Sequence, residues 1–248
     1  MPCRTRTAWS LLTVIVVFGA FGRSQALAAD AKSLDPLVAD PQHYHLDFEN
    51  QWVQVTRERM GPHEKMPMHQ HLPPGALIVF LTARNNRLTS PDGTSQVVQN
   101  HAREIQWAPA VTHQSENLND AVFEAVRIQP KEPAAGAAPK AAPPEKTDAV
   151  IVDPQHYHVD FENQYVRVIR VKIGPHEKLI MHKHPDSGAV VVQLTAQDMR
   201  QGHADGKTSE SHYQAGHVRW APPDVAHQDE NLGDKPIEIV RVELKFAR

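Results

Sequence analysis

The sequence predicts an all-β protein built from two tandem domains. A segment of about 100 residues, a common domain length, occurs twice in the chain. Short β-branched segments and hairpin turns recur in both copies, and neither copy contains a long capped helical period. A segment rich in proline and alanine separates the copies. Many short strands joined by turns are typical of a sandwich or small barrel.

The internal repeat is long and largely gap-free. Residues 40–82 and 153–195 share 27 identities over 43 aligned positions. After one inserted residue in the second copy, the alignment continues through His113 and His227. A unit of this length indicates a duplicated domain rather than a solenoid repeat. The predicted boundaries are 29–129 for the first domain, 130–147 for the linker and 148–248 for the second domain.

Candidate strands occupy matching places in the two copies. Asp92-Gly93 and Asp205-Gly206 are strong hairpin turn signals. The predicted strands include residues 53–56, 76–80, 166–169, 189–192 and 237–242.

Composition excludes several classes of protein. The 248 residues are 40% hydrophobic and 22% charged, which is an ordinary globular balance rather than that of a disordered or fibrous chain. A formal charge of −3 gives no basic face for nucleic acid, so we expect no nucleic-acid partner.

The first 28 residues have the pattern of a secretory signal peptide. Arg4 and Arg6 precede an apolar run at 8–21, and Ala26 and Ala28 supply small residues for cleavage. A membrane anchor is the alternative, but the run is shorter than the roughly 20 residues that span a bilayer. We expect a periplasmic or secreted protein with no membrane span after cleavage. Removal of the segment also removes the only cysteine.

Two His-x-His pairs are the strongest chemical signal. His69 and His71 recur as His182 and His184, and a third histidine follows in each copy, at His113 and His227. Residues two apart on a strand face the same way, so each pair can bind one divalent metal. Surface histidines are the alternative for a single pair. Retention of the trio in both copies favours a metal site in each.

These residues resemble the cupin superfamily in its two-domain, or bicupin, form. Gly216, Pro222, His227 and Asn231 match the second cupin motif, with Asp224 in place of its glycine. In the first copy Arg103 replaces the leading glycine, and His113 and Asn117 keep their spacing. The resemblance implies two tandem double-stranded β-helix barrels of the jelly-roll type. It also implies a monomer or a homodimer.

The first cupin motif departs from the family pattern. The family's glutamate ligand should follow the second histidine by four or five residues, where this chain has Gly75 and Ala76, then Gly188 and Ala189. Each site is therefore expected to have three neutral imidazoles and open positions for a small organic anion. The resemblance implies an Fe(II)-dependent dioxygenase. The same ligands also suit Zn, Cu or Ni. The alternatives are a non-catalytic metal- or ligand-binding protein, or one or both sites without metal.

Other repeated residues carry weaker hypotheses. Trp107 and Trp220 are expected in the core or the pocket wall, where they would contact a small-molecule substrate. Arg127 and Arg241 are expected to reach the pocket and hold a substrate carboxylate, with an exposed position as the alternative. Glu64 and Glu177 are candidates for a replacement carboxylate. Histidines 43, 45, 156 and 158 are expected to be surface or packing residues.

Limited proteolysis should cut first between residues 130 and 147. That segment has few large apolar residues to pack, and exposed linkers are preferred sites of cleavage. Mass spectrometry of early digests should show two fragments of domain size, whereas early cuts scattered through both copies would contradict the two-domain prediction.

Overall fold

The computed structural model describes residues 33–131, 145–184, 188–223 and 225–246. The predicted signal peptide, most of the predicted linker and Asp224 lie outside these residues. All the described residues belong to one compact unit, which falls within Ser33–Arg248. Residues 33–131 are called the first barrel below, and the described residues from 145 to 246 the second barrel. No helix in these ranges is long and apolar enough to cross a membrane.

The first barrel contains one short helix and nine strands. They are α1 (Pro36–Ala39), β1 (Tyr44–Glu49), β2 (Val53–Met60), β3 (His69–His71), β4 (Ala76–Phe80), β5 (Arg84–Thr89), β6 (Ser95–Asn100), β7 (Ile105–Ala108), β8 (Val111–Asn117) and β9 (Phe123–Pro130). They form a five-stranded sheet, β1-β2-β9-β4-β7, and a four-stranded sheet, β3-β8-β5-β6.

The second barrel repeats this order. Its elements are α2 (Ala149–Val152), β10 (Tyr157–Glu162), β11 (Val166–Ile173), β12 (Ala189–Gln193), β13 (Gln197–His203), β14 (Thr208–Tyr213), β15 (Val218–Ala221), β16 (His227–Asn231) and β17 (Ile237–Leu244). The five-stranded sheet is β10-β11-β17-β12-β15, and the three-stranded sheet is β14-β13-β16. His182 joins the smaller sheet through a bridge to His227.

The all-β prediction is confirmed. Every predicted strand lies within an observed one, and the strands of each sheet pair antiparallel. Gly93 and Gly206 turn the β5–β6 and β13–β14 hairpins with φ values of 85° and 83°, which glycine adopts without steric cost.

An apolar cluster joins the two barrels. Buried valines and leucines of β2, β4 and β9 belong to the same cluster as those of β11, β12 and β17. Trp107 stacks on Tyr165 of the second barrel, with ring centroids 5.8 Å apart and planes at 2°. Phe161 stacks on the same indole at 6.2 Å. The large sheets of the two barrels therefore share one core.

Two arginines tie the barrels together in matching ways. Arg57 Nη2 donates to the Gly216 carbonyl at 2.7 Å, and Arg170 Nη2 donates to the Arg103 carbonyl at 3.0 Å. Gly216 and Arg103 both have positive φ, 82° and 70°. The arginine that replaces the motif glycine thus keeps its backbone conformation, and its guanidinium also pairs with Glu238 across the interface at 3.0 Å.

Replacing Trp107 with alanine should lower the free energy of unfolding by about 3 kcal/mol, because truncating a packed tryptophan removes its apolar contacts. Urea denaturation followed by circular dichroism measures the change. Trp107→Phe keeps an aromatic ring at the interface and should lose less. An alanine variant as stable as the parent would contradict this packing role.

Candidate metal centres

The first histidine triad forms where β3 pairs with β8. His69 lies directly opposite His113 in this antiparallel register, and His71 follows two residues along the same face. The ring centroids are 4.7 to 5.2 Å apart. His69 is completely buried, and one ligand nitrogen from each ring lies within 4.8 Å of the others.

The second triad repeats this arrangement with less regular strand pairing. His182 pairs with His227 through a single bridge, and their backbones exchange two hydrogen bonds of 2.9 Å. Ring centroids in the triad, which His184 completes, are 4.5 to 5.4 Å apart. All three side chains are buried, and their nearest ligand atoms also lie within 4.8 Å of one another.

Backbone carbonyls hold the Nδ1 atoms of three of the six rings. Nδ1 of His69 donates to the Pro67 carbonyl at 2.9 Å, and Nδ1 of His182 donates to the Ile180 carbonyl at 2.8 Å. His227 makes the same contact with Val225 at 3.1 Å. A proton held on Nδ1 leaves the lone pair on Nε2, which is the form that ligates a metal.

Burial favours the neutral form of His69, His71, His113, His182 and His184. Desolvation lowers the pKa of His69 and of His182, and it lowers the pKa of His71 further, with the charge of Arg127 as the next cause. The pKa of His113 falls to about 3, first through desolvation and then through His69. The pKa of His184 also falls well below its usual range, because the ring is buried near Arg241. Neutral rings are ready to bind a cation.

A tyrosine accompanies each triad, and the sequence analysis missed both. The Tyr44 hydroxyl donates to His69 Nε2 at 3.2 Å, and the Tyr157 hydroxyl donates to His182 Nε2 at 3.0 Å. Burial raises the pKa of each tyrosine well above 10, so both stay protonated donors. The only sequence signal was their place in the repeated Asp-Pro-Gln-His-Tyr-His segment.

The second triad has a carboxylate that the first one lacks. Nδ1 of His184 donates to Glu243 Oε1 at 3.2 Å, and both side chains are buried. Glu243 also accepts from Arg241 Nε at 3.3 Å. The matching residue of the first barrel is Gln129. A carboxylate behind a ligating histidine fixes the ring and raises its basicity, so the two triads differ in ligand strength.

The two predicted pocket arginines lie inside the barrels. Arg127 and Arg241 are 6% and 8% exposed, which excludes the exposed alternative. Arg127 lines a cavity of about 710 Å³ that reaches His71. Arg241 lines a cavity of about 230 Å³ with His184 and His227. Nε and Nη2 of Arg127 and Nη2 of Arg241 are buried without a hydrogen-bond partner among the described residues, so each guanidinium retains capacity for an anion.

The predicted pocket tryptophans occupy a different place. Trp107 stacks on the second barrel, and Trp220 packs against the shared core. Neither residue is among those that line the two cavities at the histidines. Contact of these tryptophans with a substrate stays a prediction.

The remaining carboxylate and histidine hypotheses have structural explanations. Glu64 accepts from the Gly61 amide and lies 3.2 Å from His43 Nε2, and Glu177 accepts from the Gly174 amide, so both carboxylates stabilise their own loops. His43 and His156 donate to Asp40 and Asp153 at the barrel entries. His45 and His158 are exposed.

Packing explains why a glutamate is missing four residues after each pair. A Cβ at Gly75 would lie 2.4 Å from the Ala108 carbonyl oxygen, and one at Gly188 would lie 2.0 Å from the Trp220 ring. No side chain fits at either place without displacing its neighbours.

Comparisons with solved structures agree with this architecture. AerE from Microcystis aeruginosa has a TM-score of 0.56 at 15% identity, covering 82% of this chain and 93% of that chain. Oxalate decarboxylase from Bacillus subtilis at pH 4.6 has a TM-score of 0.52 at 13% identity, covering 77% and 68%. The formate complex of the Lactobacillus farciminis oxalate decarboxylase has a TM-score of 0.51 at 16% identity, covering 81% and 83%.

The fold is a tandem pair of cupin-type barrels. At these identities the likeness shows the fold alone. The sequence matches no protein-family model and no curated protein. The two cupin-type barrels and their histidine triads together fit the binding of divalent metal ions, because neutral nitrogen donors converge in a buried site.

Acid should destabilise the chelator-treated protein below about pH 6.5, the ordinary pKa of histidine. The pKa values of buried triad histidines such as His113 are lowered in the folded protein. As the pH falls, these residues therefore gain protons in the unfolded chain before they gain them in the folded one. Each such histidine lowers the free energy of unfolding by about 1.4 kcal/mol for every pH unit of acidification. This dependence ends near the pKa of the residue in the folded protein, which is about 3 for His113. His113→Gln should reduce the slope by that amount in urea titrations between pH 6 and 4. His45→Gln is the exposed control, and equal slopes in the two variants would contradict the assignment.

Proposed function

We propose that this protein is a periplasmic or secreted metal-binding bicupin, and that it acts as a metal-dependent dioxygenase on a small organic anion. The observation that supports the proposal most strongly is the same in each barrel. Three buried imidazoles converge beside a buried arginine with N–H groups that find no hydrogen-bond partner among the described residues. Such a site has capacity for a cation and for an anion side by side.

The imidazoles would hold the metal ion. His69, His71 and His113 would supply the ligands in the first barrel, and His182, His184 and His227 would supply them in the second. We favour Fe(II), which supplies reactivity toward dioxygen, and Zn, Cu and Ni remain alternatives. Mn(II) joins them because a solved structure of similar fold, the Bacillus subtilis oxalate decarboxylase, is described with Mn(II) centres.

The arginines would hold the organic anion. A guanidinium donates two parallel hydrogen bonds to a carboxylate, and its strength as a donor increases where water is excluded. The cavity at Arg241 has a volume of about 230 Å³, below the 300 Å³ or more of typical ligand pockets, so it suits a ligand of few atoms. Oxalate and formate, named for the similar decarboxylases, are carboxylates of that size.

The protonated tyrosines would orient the bound anion. Tyr157 directs its hydroxyl at His182 Nε2, the nitrogen that a metal ion would occupy. If a metal ion bound that nitrogen, the hydroxyl would be free to donate to a group beside the ion. Tyr44 has the same position in the first barrel.

Metal should be lost one barrel at a time. His184→Ala should reduce the bound metal from two ions per chain to one, because each imidazole is one of three protein ligands, and His71→Ala should do the same in the first barrel. Elemental analysis of protein purified without chelator measures this stoichiometry. The exposed His45→Ala variant is the matched control and should retain both ions.

Catalysis is tested on the same samples with an oxygen electrode. Iron-loaded protein should consume oxygen when small carboxylates, phenols or diketones are added. A variant that combines His71→Ala with His184→Ala should not. Tightly held metal without any uptake would identify the non-catalytic binding protein instead. Unchanged stoichiometry after both histidine substitutions would exclude the triads as ligands.

A further inference from the structure

The two barrels differ in the side chains beside their triads. We propose that Asp229 supplies negative charge directly beside the second metal centre, in addition to Glu243 behind His184, and that it replaces the glutamate that the first cupin motif lacks. The inference rests on the metal binding proposed above. It adds that the second barrel binds the metal ion more tightly than the first, and that the charge of Asp229 is responsible.

Asp229 lies beside the triad on the same strand as its third histidine. It follows His227 by two residues on β16, so both side chains point into the barrel. It is 8% exposed and lines the 230 Å³ cavity together with His184 and His227. Its Oδ2 is 3.8 Å from His227 Nε2, which places its charge at the edge of the group of imidazole nitrogens.

A neighbouring amide holds this carboxylate in place. Gln201 on β13 lies directly opposite Asp229 in the antiparallel register, and its Nε2 donates to Asp229 Oδ1 at 3.2 Å. With Oδ1 engaged by the amide, Oδ2 is the oxygen that lies 3.8 Å from His227 Nε2. The glutamine therefore positions the negative charge toward the imidazoles.

The first barrel lacks both members of this pair. The matching residues are Leu88 and Ser115, which lie opposite each other in the β5–β8 register. Ser115 accepts from Asn86 Nδ2 at 3.2 Å and carries no charge. The carboxylate in the interior of the first barrel, Glu58, interacts with Arg84 and Arg127 and hydrogen-bonds Tyr44, so it approaches the first triad only through that tyrosine. Aspartate and its amide partner thus occur together in one barrel and are both missing in the other.

The carboxylate matters because each triad is uncharged. Three imidazoles do not offset the double charge of a divalent ion, and the nearby arginine of each barrel already faces a carboxylate, Glu58 for Arg127 and Glu243 for Arg241. Attraction between opposite charges is strong in an interior with few water molecules. Asp229 lowers the positive charge of the second centre by one further unit and should strengthen metal binding there.

The experiment measures the metal affinity of each barrel separately in the full chain. His71→Ala silences the first barrel and His184→Ala the second. Competition between each protein and a chromophoric chelator for Zn²⁺ gives the affinity, and the visible spectrum of bound Co²⁺ reports on the ligand field. Asp229→Asn should weaken the second site by about 10- to 100-fold, the range for groups that support metal ligands. It should also change the Co²⁺ spectrum.

The reverse exchange tests the same charge in the other barrel. Leu88→Gln with Ser115→Asp should strengthen the first site, whereas Leu88→Gln with Ser115→Asn, the neutral control of equal size, should not. A second site within twofold of the parent after Asp229→Asn, or a first site that gains nothing, would overturn the assignment. A parent second barrel that binds no Zn²⁺ at all would instead refute the metal binding on which it rests. Thermal unfolding in chelator checks that each variant is folded.

Discussion

The register between the His-x-His segment and the strand carrying the third histidine determines the rest of the site. Antiparallel pairing puts His69 opposite His113 and His182 opposite His227. A shift of one residue would turn those imidazoles out of the barrel. With this register, the rings are buried together, Nδ1 of His69, His182 and His227 meets a nearby backbone carbonyl, and one ligand nitrogen of each ring converges with the others. Burial and strand pairing therefore produce both the geometry and the protonation state of the site.

The interior of each barrel is polar to an unusual degree for a protein core, and its groups depend on one another. Arg241 is tolerated because Glu243 bonds it, and Glu243 is tolerated because Arg167 and His184 also contact it. Incomplete pairing of a buried polar group carries a free-energy cost that a ligand can remove. Each barrel therefore contains guanidinium nitrogens that have no hydrogen-bond partner among the described residues, beside a different carboxylate in each case.

The repeat determined how much could be predicted from the sequence. Residues that occur in both copies with known chemistry, such as His71 and His184, were found because repetition set them apart from ordinary surface histidines. The strands could be predicted because they are runs of β-branched residues that begin and end at turn signals. Tyr44 and Tyr157 were also repeated, but a tyrosine in a strand usually signals core packing, so the pattern did not separate them. Asp229 and Glu243 occur in one copy only, and their roles depend on contacts between strands distant in sequence.

The joint between the barrels has a consequence for how the chain can change. Arg57 and Arg170 are received by main-chain carbonyls, at Gly216 and Arg103. Every residue has a main-chain carbonyl, so these hydrogen bonds require a left-handed backbone conformation at the acceptor rather than a particular side chain. Gly216 adopts that conformation in one barrel and Arg103 adopts it in the other. The halves of a duplicated gene can therefore diverge around their cavities while the contact between them is inherited unchanged.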